Sequence, residues 1–181
     1  MSEDDKKILC LNRDVMGVLV PSGASIMLPK GTEVSITQSL GDSFTLNVYG
    51  NLARIGAKEA DALGKEVHDP LAHLPVNASI RDKVWAQLRT VFDPEIPVNI
   101  VDLGLIYDCV IEKLPDTTHR IDIEMTLTAP ACGMGPILVE DVKEKVSAIP
   151  EVSDVQINMV FDPPWDRDRM SEAAKLELGL L

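Results

Sequence analysis

The most regular alternation of apolar and polar positions lies in the second half of the chain, over residues 120–128. The apolar set is Ile121, Ile123, Met125 and Leu127, and the polar set is Asp122, Glu124, Thr126 and Thr128. This period of two predicts a strand with one buried and one solvent-facing side. A sheet with one wet face is typical of antiparallel pairing.

Helical periodicity flanks this strand. Ser79 is a candidate N-cap for a helix whose apolar stripe runs to Phe92 and which Asp93–Pro94 is expected to end. Further strands are predicted over 105–113 and 155–161, a helix after Cys132 up to Pro150, and a short helix over 171–178. The order α-β-β-α-β-α predicts a two-layer α+β domain.

The first half is richer in glycine and β-forming residues. Residues 33–38 and 43–49 are predicted strands joined by a hairpin turn at 40–42, and residues 57–63 are a short helix ended by Gly64. We therefore predict a small all-β, barrel-like domain over 1–64. Residues 65–77, with two prolines, are the predicted linker, and residues 78–181 form the α+β domain.

Composition narrows the functional classes. The 181 residues carry a formal net charge of −12, which disfavours nucleic-acid binding because a polyanion would be repelled. The N-terminus lacks the basic-then-apolar layout of a signal peptide, and no long apolar run follows it. We expect a cytoplasmic protein that does not bind a membrane.

Cys132 is the most informative single residue. It follows the alternating strand, lies beside Gly133 and close to Gly135, and directly precedes a predicted helix. A thiol at a helix N-terminus is stabilised as the thiolate, the form that binds metal or attacks an electrophile. Three interpretations stay open: a metal or cluster ligand, a nucleophile, or a small apolar residue that fills a tight turn. The two glycines favour an accessible thiol.

Partners for that thiol are not obvious from the spacing. No CxxC pair exists, and Cys109 is predicted to pack on a strand while Cys10 lies near the terminus. The three histidines, His68, His73 and His119, have no clear route to Cys132, so a Cys–His catalytic pair is weakly supported.

Two other turns carry candidate chemistry. Asp93 and Glu95 lie on a turn stiffened by Pro94 and Pro97, as acid/base groups or hard metal ligands. By spacing alone, a helix-terminating turn with solvated acids is favoured. Trp165, after two prolines, is either an anchor for a partner protein or a side chain that folds back over the core.

Three motifs together resemble the iron–sulfur assembly accessory domain family that includes SufT and PaaD. They are DPEIPVNIVDLGLIY (residues 93–107), MTLTAPACGMG (residues 125–135) and VFDPPW (residues 160–165). The resemblance covers about 78–181 with the motifs in the family's order. Segments of the first half, KGT (30–32), GNLARI (50–55) and DALG (61–64), also resemble SufT.

The resemblance implies a non-catalytic role in maturing iron–sulfur proteins in the SUF pathway. It implies that Cys132 is the functional thiol, with Gly133 and Gly135 shaping the cofactor site and Asp93 and Glu95 as further metal ligands. The expected cargo is iron or a labile cluster, [2Fe–2S] or [4Fe–4S], and the expected partners are SUF assembly proteins and apo iron–sulfur clients. One alternative is a metal-free adaptor that docks clients through Trp165. Another is a PaaD-like role in the phenylacetate pathway, although the cysteine-bearing tail of PaaD-type members is missing here.

A single cysteine also bears on assembly. Iron–sulfur clusters usually take four thiolates, so Cys132 alone is insufficient. Two chains across a twofold axis would supply two thiolates, and a client, a small thiol, Asp93 or Glu95 would supply the rest. An incomplete, exposed site suits transfer better than storage, and we therefore expect a homodimeric carrier.

Overall fold

The strands form two separate sheets. A computed structural model of the chain describes residues 7–41, 43–93, 95–129 and 133–180. The chain divides into an N-terminal unit that ends at Asp69 and a C-terminal unit that begins at Pro70. The predicted α+β class is confirmed, and the finer division into 1–64, 65–77 and 78–181 stays a proposal.

The N-terminal unit is built on a six-stranded antiparallel sheet with the order β1-β4-β5-β6-β2-β3. The predicted hairpin is confirmed, because Leu40 pairs with Ser43 across a turn in which Gly41 has a φ of 57°. The barrel-like arrangement stays a prediction. The strands are β1 (Ile8–Cys10), β2 (Val15–Val20), β3 (Ser25–Leu28), β4 (Glu33–Leu40), β5 (Ser43–Val48) and β6 (Asn51–Ile55).

A short 3₁₀ helix, Ala57–Leu63, follows this sheet and ends at Gly64 with a φ of 70°, as the glycine predicted. Arg13 joins the first strands to this helix through ion pairs with Glu59 and Asp61. The buried core of the unit contains Val34, Ile36, Leu46, Ala53 and Ile55 among others.

The C-terminal unit has the element order α-β-β-α-β-α, with a 3₁₀ turn (Arg167–Arg169) before the last helix. Among the described residues no helix combines the length and the apolar character that crossing a membrane requires. The elements are α1 (Ile80–Leu88), β7 (Ile106–Lys113), β8 (His119–Met125), α2 (Gly135–Ser147), β9 (Val152–Met159) and α3 (Glu172–Glu177).

The alternating strand is β8, the centre of a three-stranded sheet with the order β7-β8-β9. Its apolar face packs into one core with α1 and α2, and Ile121, Ile123 and Met125 are fully buried there. Antiparallel pairing is correct for β7 and wrong for β9, which pairs parallel to β8. The cause is α2, because its 13 residues form the crossover that parallel neighbours need.

Helix α1 begins as predicted and ends early. Ser79 caps it through a capping box with Asp82. The helix stops at Leu88 rather than at Asp93–Pro94. The backbone groups after Leu88 make hydrogen bonds outside the helix. The carbonyl of Val91 accepts from the N–H of Ile100, and the N–H of Asp93 donates to the carbonyl of Val98. This local pairing competes with further helical turns.

The helical periodicity after Cys132 predicts an apolar face of Val139, Val142, Val146 and Ile149, and the observed face of α2 differs slightly from it. Leu138, Val142 and Val146 are its buried aliphatic side chains, whereas Val139 is only half-buried. The helix ends at Ser147, three residues before Pro150.

Candidate functional site

The three sequence motifs meet at one end of the β7-β8-β9 sheet. Strand β7 begins there, and β8 and β9 end there, because β7 runs antiparallel to the other two. The backbone N–H of Thr126 donates to the carbonyl of Leu105 at 2.9 Å, which joins the second motif to the first. The N–H of Val160 donates to the carbonyl of Met125 at 2.8 Å, which joins the third motif to the second. Residues far apart in sequence thus form one connected region.

The third motif lies over the first. The indole Nε1 of Trp165 donates to the carbonyl of Leu103 at 2.7 Å, and the hydroxyl of Tyr107 donates to the carbonyl of Pro163 at 2.7 Å. The Arg169 guanidinium lies 4.4 Å from the centre of the Tyr107 ring, a cation–π distance. Trp165 is half-buried against the core. Of its two predicted roles, the structure therefore shows the ring folded back over the core.

The turn beneath this segment is held by Asn99. Its side-chain carbonyl accepts from the N–H groups of Val101 and Asp102 at 3.0 and 2.9 Å, and its amide donates to the Asp102 carboxylate at 2.6 Å. At Gly104 the φ is 72°, and an added Cβ would lie 2.3 Å from the carbonyl oxygen of Arg169. Asn99 is not among the residues that the sequence motifs singled out as candidates. Its position within an asparagine-to-glycine turn was the available signal.

Asp93 and Glu95 have different environments. The Asp93 side chain is 4% exposed, and its Oδ1 accepts from the N–H groups of Glu95 and Ile96 at 2.8 and 2.9 Å. Burial raises the pKa of the Asp93 carboxyl, the two backbone N–H groups lower it, and the nearby Glu95 charge raises it further. Glu95 is exposed. The expectation of a turn with solvated acids is therefore wrong for Asp93, because its carboxylate shapes the turn from inside.

Cys132 lies outside the described residues, as does Pro94, so their predicted roles stay predictions. Regular secondary structure lies on both sides of the segment that contains Cys132, since β8 ends at Met125 and α2 begins at Gly135. Gly133 is exposed. Gly135 is buried, and a Cβ at this position would lie 2.8 Å from Cδ1 of Leu127. The missing side chain at Gly135 lets the start of α2 pack against Leu127.

Thr126 departs from the alternating pattern. The alternation assigns it to the solvent-facing side, yet it is only 1% exposed, and its hydroxyl has no hydrogen-bond partner among the residues that the structure describes. The pattern failed here because β8 ends one residue earlier, at Met125. A buried polar group thus borders the segment that contains Cys132.

The other candidate metal or nucleophilic residues lie elsewhere. Cys109 is buried on β7, where burial raises the pKa of its thiol and the charge of Arg81 partly lowers it. Cys10 is exposed on β1, in the N-terminal unit. Ring Nδ1 of His119 lies 3.3 Å from the carbonyl oxygen of Glu151. Within the described ranges, no three His, Cys, Asp or Glu side chains form a group that could hold a metal ion.

Comparison with known proteins identifies this unit. The sequence pattern described as iron-sulfur cluster assembly protein matches residues 81–159, a range that includes the first motif, Cys132 and α2. A relative from Porphyromonas gingivalis named Fe-S protein maturation auxiliary factor is 48% identical over 100 residues, which are 55% of this chain and 91% of the relative. The chain belongs to the iron-sulfur cluster assembly protein family.

Two further proteins are similar to this chain over the same region. Fe-S protein maturation auxiliary factor SufT from Staphylococcus aureus is 41% identical over 90 residues, which are 50% of this chain and 98% of that protein. A crystal structure of a domain of unknown function, DUF59, from Bacillus anthracis has 40% identity and a TM-score of 0.51, and covers 56% of this chain and 93% of that one. About half of this chain has no counterpart in these relatives. The likeness of its first half to SufT stays a prediction.

Proposed function

We propose that this chain is a non-catalytic accessory factor in the maturation of iron–sulfur proteins. The observation that carries the proposal is the 48% identity to an Fe-S protein maturation auxiliary factor over 91% of that relative. The fold supports it, because the three motifs that carry the family resemblance are joined by hydrogen bonds at one end of the sheet. Its proposed cargo is iron or a labile cluster, which the chain would pass to an apo-protein.

Cys132 is the proposed cargo ligand. The chain has three cysteines, and the other two have different settings, since Cys109 is buried in the core and Cys10 lies on a strand of the N-terminal unit. A [2Fe–2S] or [4Fe–4S] cluster usually takes four thiolates. Completing the site would require a second copy of this chain, a client cysteine or a small thiol. A site that is complete only with such a partner favours release over permanent storage.

Asp93 and Glu95 are the proposed oxygen ligands. A carboxylate oxygen is a known ligand of ferrous iron, as in non-haem sites with two histidines and one carboxylate. One oxygen of Asp93 is already bound by two backbone N–H groups, which orients the carboxylate and leaves the second oxygen as the ligand. Burial penalises the charged form of this group, as the direction of its pKa shows. A nearby cation would offset that penalty.

The proposed partners are SUF assembly proteins and apo iron–sulfur clients, met in the cytoplasm. A metal-free adaptor anchored at Trp165 has less support, because the indole is bound to Leu103 and packed on the core instead of projecting outward. We also consider the PaaD-like role secondary, since relatives at 48% and 41% identity carry maturation-factor names.

Anaerobic reconstitution with iron and sulfide tests the proposal. Wild type is expected to develop a visible cluster spectrum and to increase in mass from one chain to two. Cys132→Ser is expected to stay colourless and monomeric. Cys10→Ser is the matched control, since it removes an exposed thiol from the other unit and is expected to behave as wild type. Equal cluster content in the Cys132→Ser variant would overturn the role of Cys132.

Asp93→Asn keeps the hydrogen-bond acceptor for the turn and removes the carboxylate charge. The iron affinity of this variant therefore reports the contribution of that charge.

A further inference from the structure

A groove of about 700 Å³ runs along the outer side of α1, within the C-terminal unit. Leu74, Pro75, Trp85 and Ala86 form its apolar walls. Trp85 has one part packed against the core and another facing the groove, which leaves it half-buried. A partly buried tryptophan is a rigid, pre-positioned apolar contact, the type of side chain that often dominates a binding interface.

The charges in this groove are unusual for so acidic a chain. Arg81 and Arg89 both line it and are exposed, and the guanidinium of neither makes a hydrogen bond or an ion pair with another of the described residues. Asp82 also lines the groove, but its carboxylate already accepts hydrogen bonds from Ser79. Its Oδ2 accepts from the backbone N–H and from the hydroxyl of Ser79, at 3.0 and 2.7 Å, within the helix cap. The groove is therefore locally cationic on a chain with a net charge of −12.

The spacing of the three side chains defines what fits. Arg81, Trp85 and Arg89 follow one another at intervals of four residues on α1 and its C-cap. Four residues of helix rise about 6 Å, so the two arginines are displaced by about 12 Å along the axis with Trp85 midway. In an extended peptide, alternate side chains share one face at intervals of about 6.6 Å, which places the first and fifth about 13 Å apart. The spacing of Arg81, Trp85 and Arg89 along the helix therefore nearly matches the spacing of alternate side chains in an extended peptide.

We infer that the groove binds an extended acidic segment of a partner protein, in which two carboxylates at positions i and i+4 flank an apolar side chain at i+2. Each guanidinium takes one carboxylate, with the two parallel N–H donors that suit carboxylate geometry. The apolar side chain covers the open part of Trp85. A long polyanion such as nucleic acid is the less favourable occupant, because charges beyond the groove would face an acidic surface. The inference does not rest on iron binding by this chain.

Fluorescence anisotropy of a labelled pentapeptide, Glu-Gly-Leu-Gly-Glu, titrated with the full chain tests the inference. We expect saturable binding that weakens as salt is added. Gln-Gly-Leu-Gly-Gln, which lacks both charges, and Glu-Glu-Leu-Gly-Gly, which has the same composition in a different order, are expected to bind about tenfold more weakly. Backbone amide NMR shifts are expected to centre on residues 74–89.

The protein variants separate the groove from general charge. Arg81→Gln with Arg89→Gln is expected to weaken binding about tenfold. The control variant, Lys143→Gln with Arg167→Gln, also removes two positive charges, but from exposed positions outside the groove. It is expected to leave the affinity unchanged. The inference is overturned if the wild type shows no saturable binding, if both double variants lose affinity equally, or if the reordered peptide or a short oligonucleotide binds as tightly as the designed peptide.

Discussion

Gly104 is the position where one added methyl group should have the largest effect on the candidate site. Its φ of 72° costs a residue with a Cβ about 1–2 kcal/mol. The added Cβ would also lie 2.3 Å from the carbonyl oxygen of Arg169 and 2.9 Å from its carbonyl carbon. This obstacle is backbone, and it is held in place because the N–H of Ser171 donates to the carbonyl of Asp102 at 2.8 Å. Overpacking of this kind costs about 1–3 kcal/mol.

We therefore expect Gly104→Ala to lower the free energy of unfolding by about 2–5 kcal/mol. That is a large part of a typical total of about 5–15 kcal/mol. Urea titration followed by tryptophan fluorescence is the appropriate assay, because both tryptophans, Trp85 and Trp165, lie in the C-terminal unit. The signal then reports this unit without a contribution from the other.

Gly179 offers the matched control in the same unit. Its φ is 68°, and an added Cβ meets nothing within 4 Å. Gly179→Ala therefore introduces the backbone strain without the collision, and a loss of about 1 kcal/mol is expected. An equal loss of stability for the two variants would contradict this expectation, because it would show that the approach of Arg169 to Gly104 contributes nothing.

Three further variants probe the surroundings of the site. Asp93→Ala is expected to destabilise the chain by about 2 kcal/mol in urea unfolding, since two backbone N–H groups lose their acceptor, while Asp93→Asn retains most of the stability; equal losses would contradict this. Trp165→Phe keeps a ring and loses the bond to Leu103, so a loss of about 1 kcal/mol is expected, and an unchanged midpoint would show that the bond is unimportant. Ser79→Ala is expected to cost about 1 kcal/mol at neutral pH. Hydrogen bonds from Ser79 lower the pKa of Asp82 below 3.8, so this stabilisation is present above pH 3.8 and is lost as the pH falls through the lowered pKa; a gap between wild type and variant that stays constant in acid would contradict the assignment.

Local sequence rules account for much of the fold. The period of two identified β8, the glycine at position 41 identified the hairpin, and the cap at Ser79 identified the start of α1. These features depend on neighbouring residues only, which is why the sequence is informative about them. The α+β class follows from their order.

Other features depended on contacts that local patterns do not contain. The parallel pairing of β9 follows from the path of α2 across the sheet, and the early end of α1 follows from pairing with residues 98–100. Thr126 is buried although its neighbours alternate regularly, because the strand has already ended.

The candidate site shows the same division. Motif spacing brought Asp93, Glu95 and Cys132 to attention, but spacing gave no indication that Asp93 is buried and bound to its own turn. The role of Gly104 becomes clear only from the approach of Arg169, 65 positions along the chain, which a single sequence does not encode as a local pattern. The bond between Asn99 and Asp102 is local, and turn chemistry was the signal for it.

Transfer of a cluster to a client protein is the most direct test of cargo delivery through Cys132. An apo iron–sulfur enzyme is incubated anaerobically with the reconstituted protein, and the recovery of its activity is followed over time for wild type, Cys132→Ser and Cys10→Ser. We expect recovery with wild type and with Cys10→Ser, and only the background rate of free iron and sulfide with Cys132→Ser. Recovery with Cys132→Ser at the wild-type rate would contradict the claim that this chain delivers its cargo through Cys132.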